Sequence, residues 1–188
     1  NSLQKHEIVA DDILFCPGSG FDYSRLAAEL SKLKVFPREP FLVGLKSSNK
    51  LIRSLDNIRA KVSIKLMRND QLVHEEAGEI LFRSYGLSGI VVFDMSRYVK
   101  NRDNLLLDFF PEIPLKDLTK EFEKRSKEEG TTASDLFCGM MLSSISRVIL
   151  NHCEVPLNET PTKAQINNIA RACKYFPVEI IGPASPNQ

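Results

Sequence analysis

The apolar and polar residues form three successive patterns along the chain, and the first predicts a strand, a glycine turn and a helix. The apolar run of residues 13–16 is followed by Pro17, Gly18, Ser19 and Gly20, which is typical of a buried strand ending in a turn. Residues 23–34 then carry leucine and alanine at helical spacing. This order of elements is typical of a nucleotide-binding domain.

The middle of the chain has the pattern of antiparallel strands. In residues 60–67, apolar side chains alternate with lysine and serine, which predicts a strand with one buried and one solvated face. Residues 68–71 supply a turn, and residues 72–82 return as the partner strand. The alternation slips at Ala77-Gly78, which predicts a bulge there. Residues 105–109 form a further alternating run and predict another strand.

The last third of the chain has a helical pattern. Residues 115–122 place apolar side chains at i, i+3 and i+7, which predicts the first helix. Thr132, with an aspartate three residues later, resembles a capping box that opens a single helix reaching Ile149. Thr162 and Gln165 form a better capping box, which predicts a third helix.

A final apolar run, residues 176–181, predicts one more strand. The pattern therefore predicts an α+β fold in which a first and a last strand flank the antiparallel strands and the helices. Because inserted domains tend to have neighbouring termini, this order predicts a two-lobed insertion whose ends return to one parent sheet.

Composition and charge exclude several classes of function. The 25 lysines and arginines nearly cancel the 24 aspartates and glutamates, giving a net charge of +1, so no long-range field would attract nucleic acid or an acidic membrane surface. No apolar run approaches the ~20 residues that span a bilayer, and the first residues lack the pattern of a signal peptide. We therefore expect a cytoplasmic location. The four cysteines and three histidines are scattered without metal-ligand spacing, so no metal site is predicted.

Candidate chemistry in the sequence is sparse. Gly18, Ser19 and Gly20 lie between a predicted strand and a predicted helix and offer a backbone cradle for phosphate, although turn chemistry alone also explains them. Ser88 lies between glycines, but their spacing is not that of a nucleophile elbow, so Ser88 is not predicted to be a nucleophile. Glu75 shares a strand face with Glu79 and is predicted to be solvated. These rules alone predict no catalytic residue.

One long segment resembles a family signature. Residues 78–98 read GEILFRSYGLSGIVVFDMSRY and resemble the signature of the BaiN/YhiN-type flavoproteins, also called the aminoacetone oxidase family, with Arg83 where threonine is usual. Residues 10–18, ADDILFCPG, and residues 175–178, YFPV, resemble two further segments of that family in the same order.

The resemblance implies an FAD-dependent oxidoreductase whose Rossmann-like FAD domain is interrupted by an inserted domain. It implies that residues 1–40 are a strand and helix remnant of the FAD domain and that residues 176–188 return to it. Between them lie a β-barrel-like lobe at residues 41–112 and a three-helix lobe at residues 113–175. Because the chain lacks the dinucleotide fingerprint, we expect FAD in the full-length parent and expect the isolated chain to be inactive and to bind no FAD.

The resemblance also implies partners and a candidate site. The expected partners are the FAD-binding domain of the same polypeptide and a small-molecule substrate, with no nucleic acid and no membrane. We hypothesise that one loop faces the flavin cleft and the substrate; it comprises Arg83, Ser84, Tyr85, Gly86, Leu87, Ser88 and Gly89. Two alternatives remain open: a stand-alone protein-interaction module without catalytic activity, and a small enzyme whose catalytic residues come from distant parts of the chain.

Overall fold

The computed structural model describes residues 44–100 and 103–184 and confirms the α+β class. In the described ranges a closed antiparallel barrel, in the order β1-β4-β3-β2-β5-β6, is joined to a helical lobe. The strands are β1 (Leu45–Ser47), β2 (Arg59–Arg68), β3 (Gln71–Arg83), β4 (Gly86–Ser88), β5 (Asn104–Asp108) and β6 (Phe176–Pro183). The helices are α1 (Lys50–Arg53), α2 (Ile90–Ser96), α3 (Leu115–Arg125), α4 (Ser143–His152) and α5 (Lys163–Lys174), with a short 3₁₀ turn at Asp135–Phe137. The predicted first strand and helix, with Gly18, Ser19 and Gly20, lie outside the described residues.

The long hairpin of β2 and β3 forms as the alternation predicts. Val62, Ile64 and Leu66 are buried inside the barrel. Asn69 and Asp70 connect the strands with φ values of 49° and 60°, the left-handed pair that a tight two-residue hairpin turn requires. Asparagine and aspartate tolerate this conformation better than other non-glycine residues, which explains their place in the turn.

The predicted bulge at Ala77-Gly78 is wrong. The pairing is regular there, with Val62 opposite Gly78, and the register shifts instead between Leu66 and Met67. Gly78 has a different role, because a Cβ at this position would lie 3.1 Å from the Cβ of Val91. The missing side chain lets α2 pack closely against β3.

Of the two capping boxes predicted in the helical lobe, only the second begins an α-helix. Thr162 and Gln165 form the reciprocal capping box of α5. At Thr132, the carboxylate of Asp135 accepts bonds from the backbone N–H at 2.8 Å and from the hydroxyl at 2.6 Å, but only a 3₁₀ turn follows. The predicted single helix is therefore wrong: Gly139 has a φ of 73°, and α4 begins afresh at Ser143.

The last strand was predicted to return to the FAD-domain sheet, but the structure places β6 in the barrel. It pairs with β5 on one side and with β1 on the other, and Phe176, Val178 and Ile180 point into the core. The sequence could not show this, because period-2 alternation fixes which face is buried but not which neighbour supplies the hydrogen bonds. The other predicted domain boundaries stay predictions.

A buried ion pair joins the barrel to the helical lobe. The Lys174 ammonium at the end of α5 lies 2.7 Å from the Asp108 carboxylate at the end of β5. The ammonium also donates to the carbonyls of Phe110 and Ile113, at 2.6 and 2.8 Å, while Asp108 accepts from the Phe110 N–H at 2.9 Å. All donors of the ammonium are thereby used, which offsets the cost of burying the charge.

Candidate functional site

The predicted loop begins as the tight turn between β3 and β4, and charged side chains hold this turn in place. The Asp56 carboxylate accepts from the Ser84 N–H at 2.9 Å, and the Arg53 guanidinium donates to the Ser84 carbonyl at 2.5 Å. The Arg83 guanidinium donates to the Asn57 amide oxygen at 2.7 Å and lies 3.6 Å from Asp56. The turn is therefore rigid on its backbone side, while the Ser84 side chain is exposed.

This turn lies where the chain enters and leaves the barrel. The Ala184 N–H, just after β6, donates to the carbonyl of Gly44, just before β1, at 2.7 Å. Tyr85 covers the same point, because a Cβ on Gly44 would lie only 2.8 Å from the Tyr85 hydroxyl oxygen. The entry strand, the exit strand and the Tyr85 ring thus meet at one end of the barrel, which we call the mouth and define by Gly44, Tyr85 and Ala184.

The second half of the predicted loop is not a loop. Gly86, Leu87 and Ser88 form β4 and are buried between β1 and β3. Gly86 has a φ of 146°, and a Cβ there would lie 2.3 Å from the Leu45 carbonyl oxygen, so glycine is needed for β1 to pair with β4. Gly89 has a φ of 105° and would place a Cβ 2.9 Å from the Glu79 carbonyl oxygen. The prediction that all seven residues face the flavin cleft stays untested. The strand β4 places Arg83 to Tyr85 at one of its ends and Gly89 at the other.

A cleft of about 510 Å³ lies at the other end of β4, between β3 and α2. Its walls are residues 76–79 and Leu81 of β3, residues 88–91, 93 and 94, and Arg59. Ile90 is 78% exposed at its rim, an unusual position for a large apolar side chain at the start of a helix whose next residues are buried. Sequence reasoning missed this cleft, because Ile90 alone cannot be told from a core residue by its spacing.

The described ranges contain no metal-ligating cluster, and two of their cysteines have raised pKa values. No cluster of three metal-ligating side chains occurs among residues 44–100 and 103–184. Burial raises the pKa of Cys153 to about 11 and that of Cys173 well above its ordinary value, so both thiols are unreactive near neutral pH. None of the helices in the described part of the chain has the length and apolar character needed to cross a bilayer.

Among the described residues, the His74 ring on β3 lies beside a carboxylate of the same strand. Its Nε2 lies 2.9 Å from the Glu76 carboxylate, and the ring stacks on Tyr98 with the ring centroids 4.2 Å apart. All three side chains are partly exposed, and the arrangement is that of a surface pair that orders the end of the hairpin.

Comparison with known proteins identifies the family. Residues 39–187 match the family model described as HI0933-like protein barrel and H2TH domain. The chain is also 25% identical over 167 residues to the 3-dehydro-bile acid delta(4,6)-reductase of Clostridium scindens, an alignment that covers 84% of this chain. The match covers 40% of that relative's length. Because the family model covers most of the chain, the protein belongs to the HI0933-like barrel and H2TH domain family, which confirms its resemblance to the BaiN/YhiN-type flavoproteins.

Proposed function

We propose that this barrel and helical lobe form an inserted domain of a flavin-dependent oxidoreductase, and that the mouth covers the flavin cleft and shapes the substrate pocket. In this role FAD bound by another domain carries the redox chemistry, while the insert excludes water and positions the substrate. The partners are then the FAD-binding domain of the same polypeptide and a small molecule. The relative's reductase activity on a bile acid derivative supports the reaction class.

The observation that carries this proposal is the hydrogen bond between Gly44 and Ala184. An inserted domain connects to its host through two strands that must lie side by side, and here the entry and exit backbones are 2.7 Å apart. Any domain attached at these two points lies next to the mouth. The Arg83 to Tyr85 turn belongs to that end of the barrel, since the Tyr85 ring packs on Gly44.

The charge at the turn fits an anionic group of a substrate or cofactor. Each guanidinium has five N–H donors, and within the described ranges the bonds of Arg53 and Arg83 leave donors on both without a protein partner. Both arginines are fixed by the turn, so little side-chain entropy is lost when they bind an anion. The Ser84 side chain of the same turn is exposed, and its hydroxyl adds a further donor.

Substitutions in the flavoprotein that carries this domain test the proposal. We expect Arg83→Gln and Tyr85→Phe to raise KM or lower kcat, because each removes a polar group at the mouth. Arg147→Gln is the matched control, because Arg147 is exposed on α4 in the helical lobe. Unchanged kinetics in both test variants would refute the proposal that the mouth shapes the substrate pocket.

The absorbance spectrum of the purified 188-residue chain is a second test. We expect no flavin bands, since in this proposal the FAD-binding groups belong to the other domain. A yellow sample that retains flavin through gel filtration would show that this chain holds the cofactor itself, and the covering role would have to be abandoned.

A further inference from the structure

One edge of β3 has no strand beside it in the described part of the chain. β3 spans Gln71–Arg83, but β4 pairs only with its last three residues, from Leu81 to Arg83. On its other side β3 pairs with β2 along nearly its whole length. The stretch of β3 before Leu81 is therefore paired on one side only among residues 44–100 and 103–184.

The register shows which backbone groups lie on this open edge. Phe82 donates to the Ile58 carbonyl at 2.8 Å and accepts from the Asn57 N–H at 2.9 Å, so its backbone groups face β2. The direction in which the backbone N–H and C=O groups point alternates from residue to residue along a strand. The backbone groups of Gly78 therefore also face β2, and those of Ala77 and Glu79 face away from it. The Glu79 carbonyl oxygen is the atom that a Cβ on Gly89 would meet at 2.9 Å, which confirms the direction independently.

Ala77 and Glu79 line the cleft between β3 and α2, so their outward-facing backbone groups lie along it, and Gly89 already lies against the Glu79 carbonyl oxygen. The opposite wall is apolar, formed by Val91, Phe93 and the 78% exposed Ile90. An alternating row of N–H donors and carbonyl acceptors beside an apolar wall matches an extended peptide, whose backbone pairs with the edge while alternate side chains enter the cleft. A rigid small molecule would not reproduce this spacing of ~3.4 Å per residue.

The charge of the cleft selects among peptides. Its lining has three carboxylates, from Glu76, Glu79 and Asp94, and one guanidinium, from Arg59. Each carboxylate already has a neighbour: Glu79 bonds to Arg59 at 2.6 Å, Asp94 to Arg97 at 3.1 Å, and Glu76 to the His74 ring at 2.9 Å. The lining itself still has more carboxylates than guanidinium groups. A second copy of the same acidic edge would place like charges opposite each other, which is unfavourable. A segment with lysine or arginine is complementary.

We propose that the cleft between β3 and α2 is a docking site for an extended peptide segment with basic side chains, which adds a strand to the open edge of β3. The site lies at the end of β4 opposite the mouth, so peptide binding there can be measured separately from the proposed flavin-covering role. The segment belongs to a protein partner that the cleft recognises by backbone pairing and by charge.

Titration of the 188-residue chain with two synthetic peptides tests this site. The probes are acetyl-Lys-Val-Lys-Val-Lys-Val-amide and the same peptide with glutamate in place of lysine, followed by NMR. We expect the lysine peptide to bind and the glutamate peptide not to bind. In the complex the Ala77 and Glu79 amides should exchange at least about tenfold more slowly, while Gly78, already bonded to β2, should not change.

Two variants separate edge pairing from general attraction. Ala77→Pro removes an N–H that faces the cleft and leaves the bonds to β2 intact, so it should weaken lysine-peptide binding by about tenfold or more. Ala77→Thr keeps that N–H and should bind within about twofold of the original chain. Should Ala77→Pro fail to fold, the double variant Glu76→Lys with Asp94→Lys takes its place, and it should reverse the preference towards the glutamate peptide.

Several outcomes would overturn the proposal. They are no binding of the lysine peptide, equal binding of both peptides, or binding without protection of Ala77 and Glu79. Equal affinity of Ala77→Pro and Ala77→Thr would also overturn it. Concentration-dependent dimerisation that protects the same amides without peptide would assign the edge to a second copy and refute the basic peptide.

Discussion

Two glycines with nearly the same φ allow the effect of packing to be separated from that of backbone strain. Gly86 in β4 has a φ of 146° and Gly182 in β6 a φ of 147°, values that side chains rarely adopt. A Cβ on Gly86 would lie 2.3 Å from the Leu45 carbonyl oxygen, whereas a Cβ on Gly182 meets nothing within 4 Å. The Gly86→Ala and Gly182→Ala variants therefore share the strain and differ in the clash.

The expected difference follows from the contact. The unusual φ costs about 1–3 kcal/mol in both variants. In Gly86→Ala, β1 must also move by roughly 1 Å to restore van der Waals contact, at about 1–3 kcal/mol for overpacking. That movement weakens the short β1–β4 pairing, at about 0.5–1.5 kcal/mol for each hydrogen bond lost. We expect Gly86→Ala to be less stable than Gly182→Ala by about 2–4 kcal/mol.

Urea unfolding of both variants, followed by far-ultraviolet circular dichroism, measures this difference. If Gly86→Ala does not fold well enough for an unfolding curve while Gly182→Ala does, the order of stability is still established. Equal unfolding free energies would refute the steric argument. They would then favour the other reason for glycine in this segment, a close approach by the cofactor, which affects flavin binding without affecting the stability of the barrel.

Three further predictions concern buried groups. Lys174→Met should destabilise the chain by about 3–5 kcal/mol in urea unfolding, because it leaves the Asp108 carboxylate buried without its partner, and the added Asp108→Leu substitution should recover part of that loss. The Arg68 guanidinium donates to the Asp103 carboxylate at 2.6 and 2.9 Å, and these bonds lower the pKa of Asp103. The carboxylate therefore stabilises the fold above its unfolded pKa and loses that effect as the pH falls through its folded pKa, so the difference in unfolding free energy between wild type and Asp103→Asn should narrow on acidification. Iodoacetamide at neutral pH, with mass mapping, should label the exposed Cys138 and leave Cys153 unlabelled until urea is added, because burial raises the pKa of Cys153 to about 11.

Local patterns predicted the elements whose stability is local. The β2–β3 hairpin follows from alternation and from the Asn69-Asp70 turn, and α5 follows from its Thr162 and Gln165 capping box. In each case the residues that specify the element lie within a few positions of one another. The α+β class followed from the same patterns, since a run of strands and a run of helices occupy separate parts of the sequence.

The errors concern contacts between distant parts of the chain. Gly78 was predicted to mark a bulge because its reason, the approach of Val91, lies thirteen residues further along. The strand β6 was assigned to another sheet because its partners, β5 and β1, are about 70 and 130 residues away. Nothing in a single sequence fixes such partners, since several pairings bury the same apolar face.

The single helix predicted after Thr132 failed for a related reason. Its apolar stripe is continuous in sequence, but Arg125 of α3 donates to the carbonyls of Leu136 and Cys138. Those carbonyls would otherwise accept bonds within a continuous helix, and Gly139 then turns the chain. A contact with another helix thus prevents the continuous helix that the local pattern predicts.

The packing of the barrel explains the glycines of the family signature. Residues with a functional role must therefore be sought elsewhere in the signature. Gly78 admits α2, Gly86 admits β1, and Gly89 lies against the β3 backbone, so each of them would be required in a barrel of this geometry whether or not a cofactor lies nearby. A resemblance carried by such glycines therefore identifies the fold more securely than it identifies a site. In the roles proposed above, contacts with a flavin or a partner would come from side chains that the signature leaves accessible, and Ser84 at the mouth and Ile90 at the cleft are both exposed. Because they lie at opposite ends of β4, substitutions at the two positions should affect different measurements, turnover for the first and peptide binding for the second.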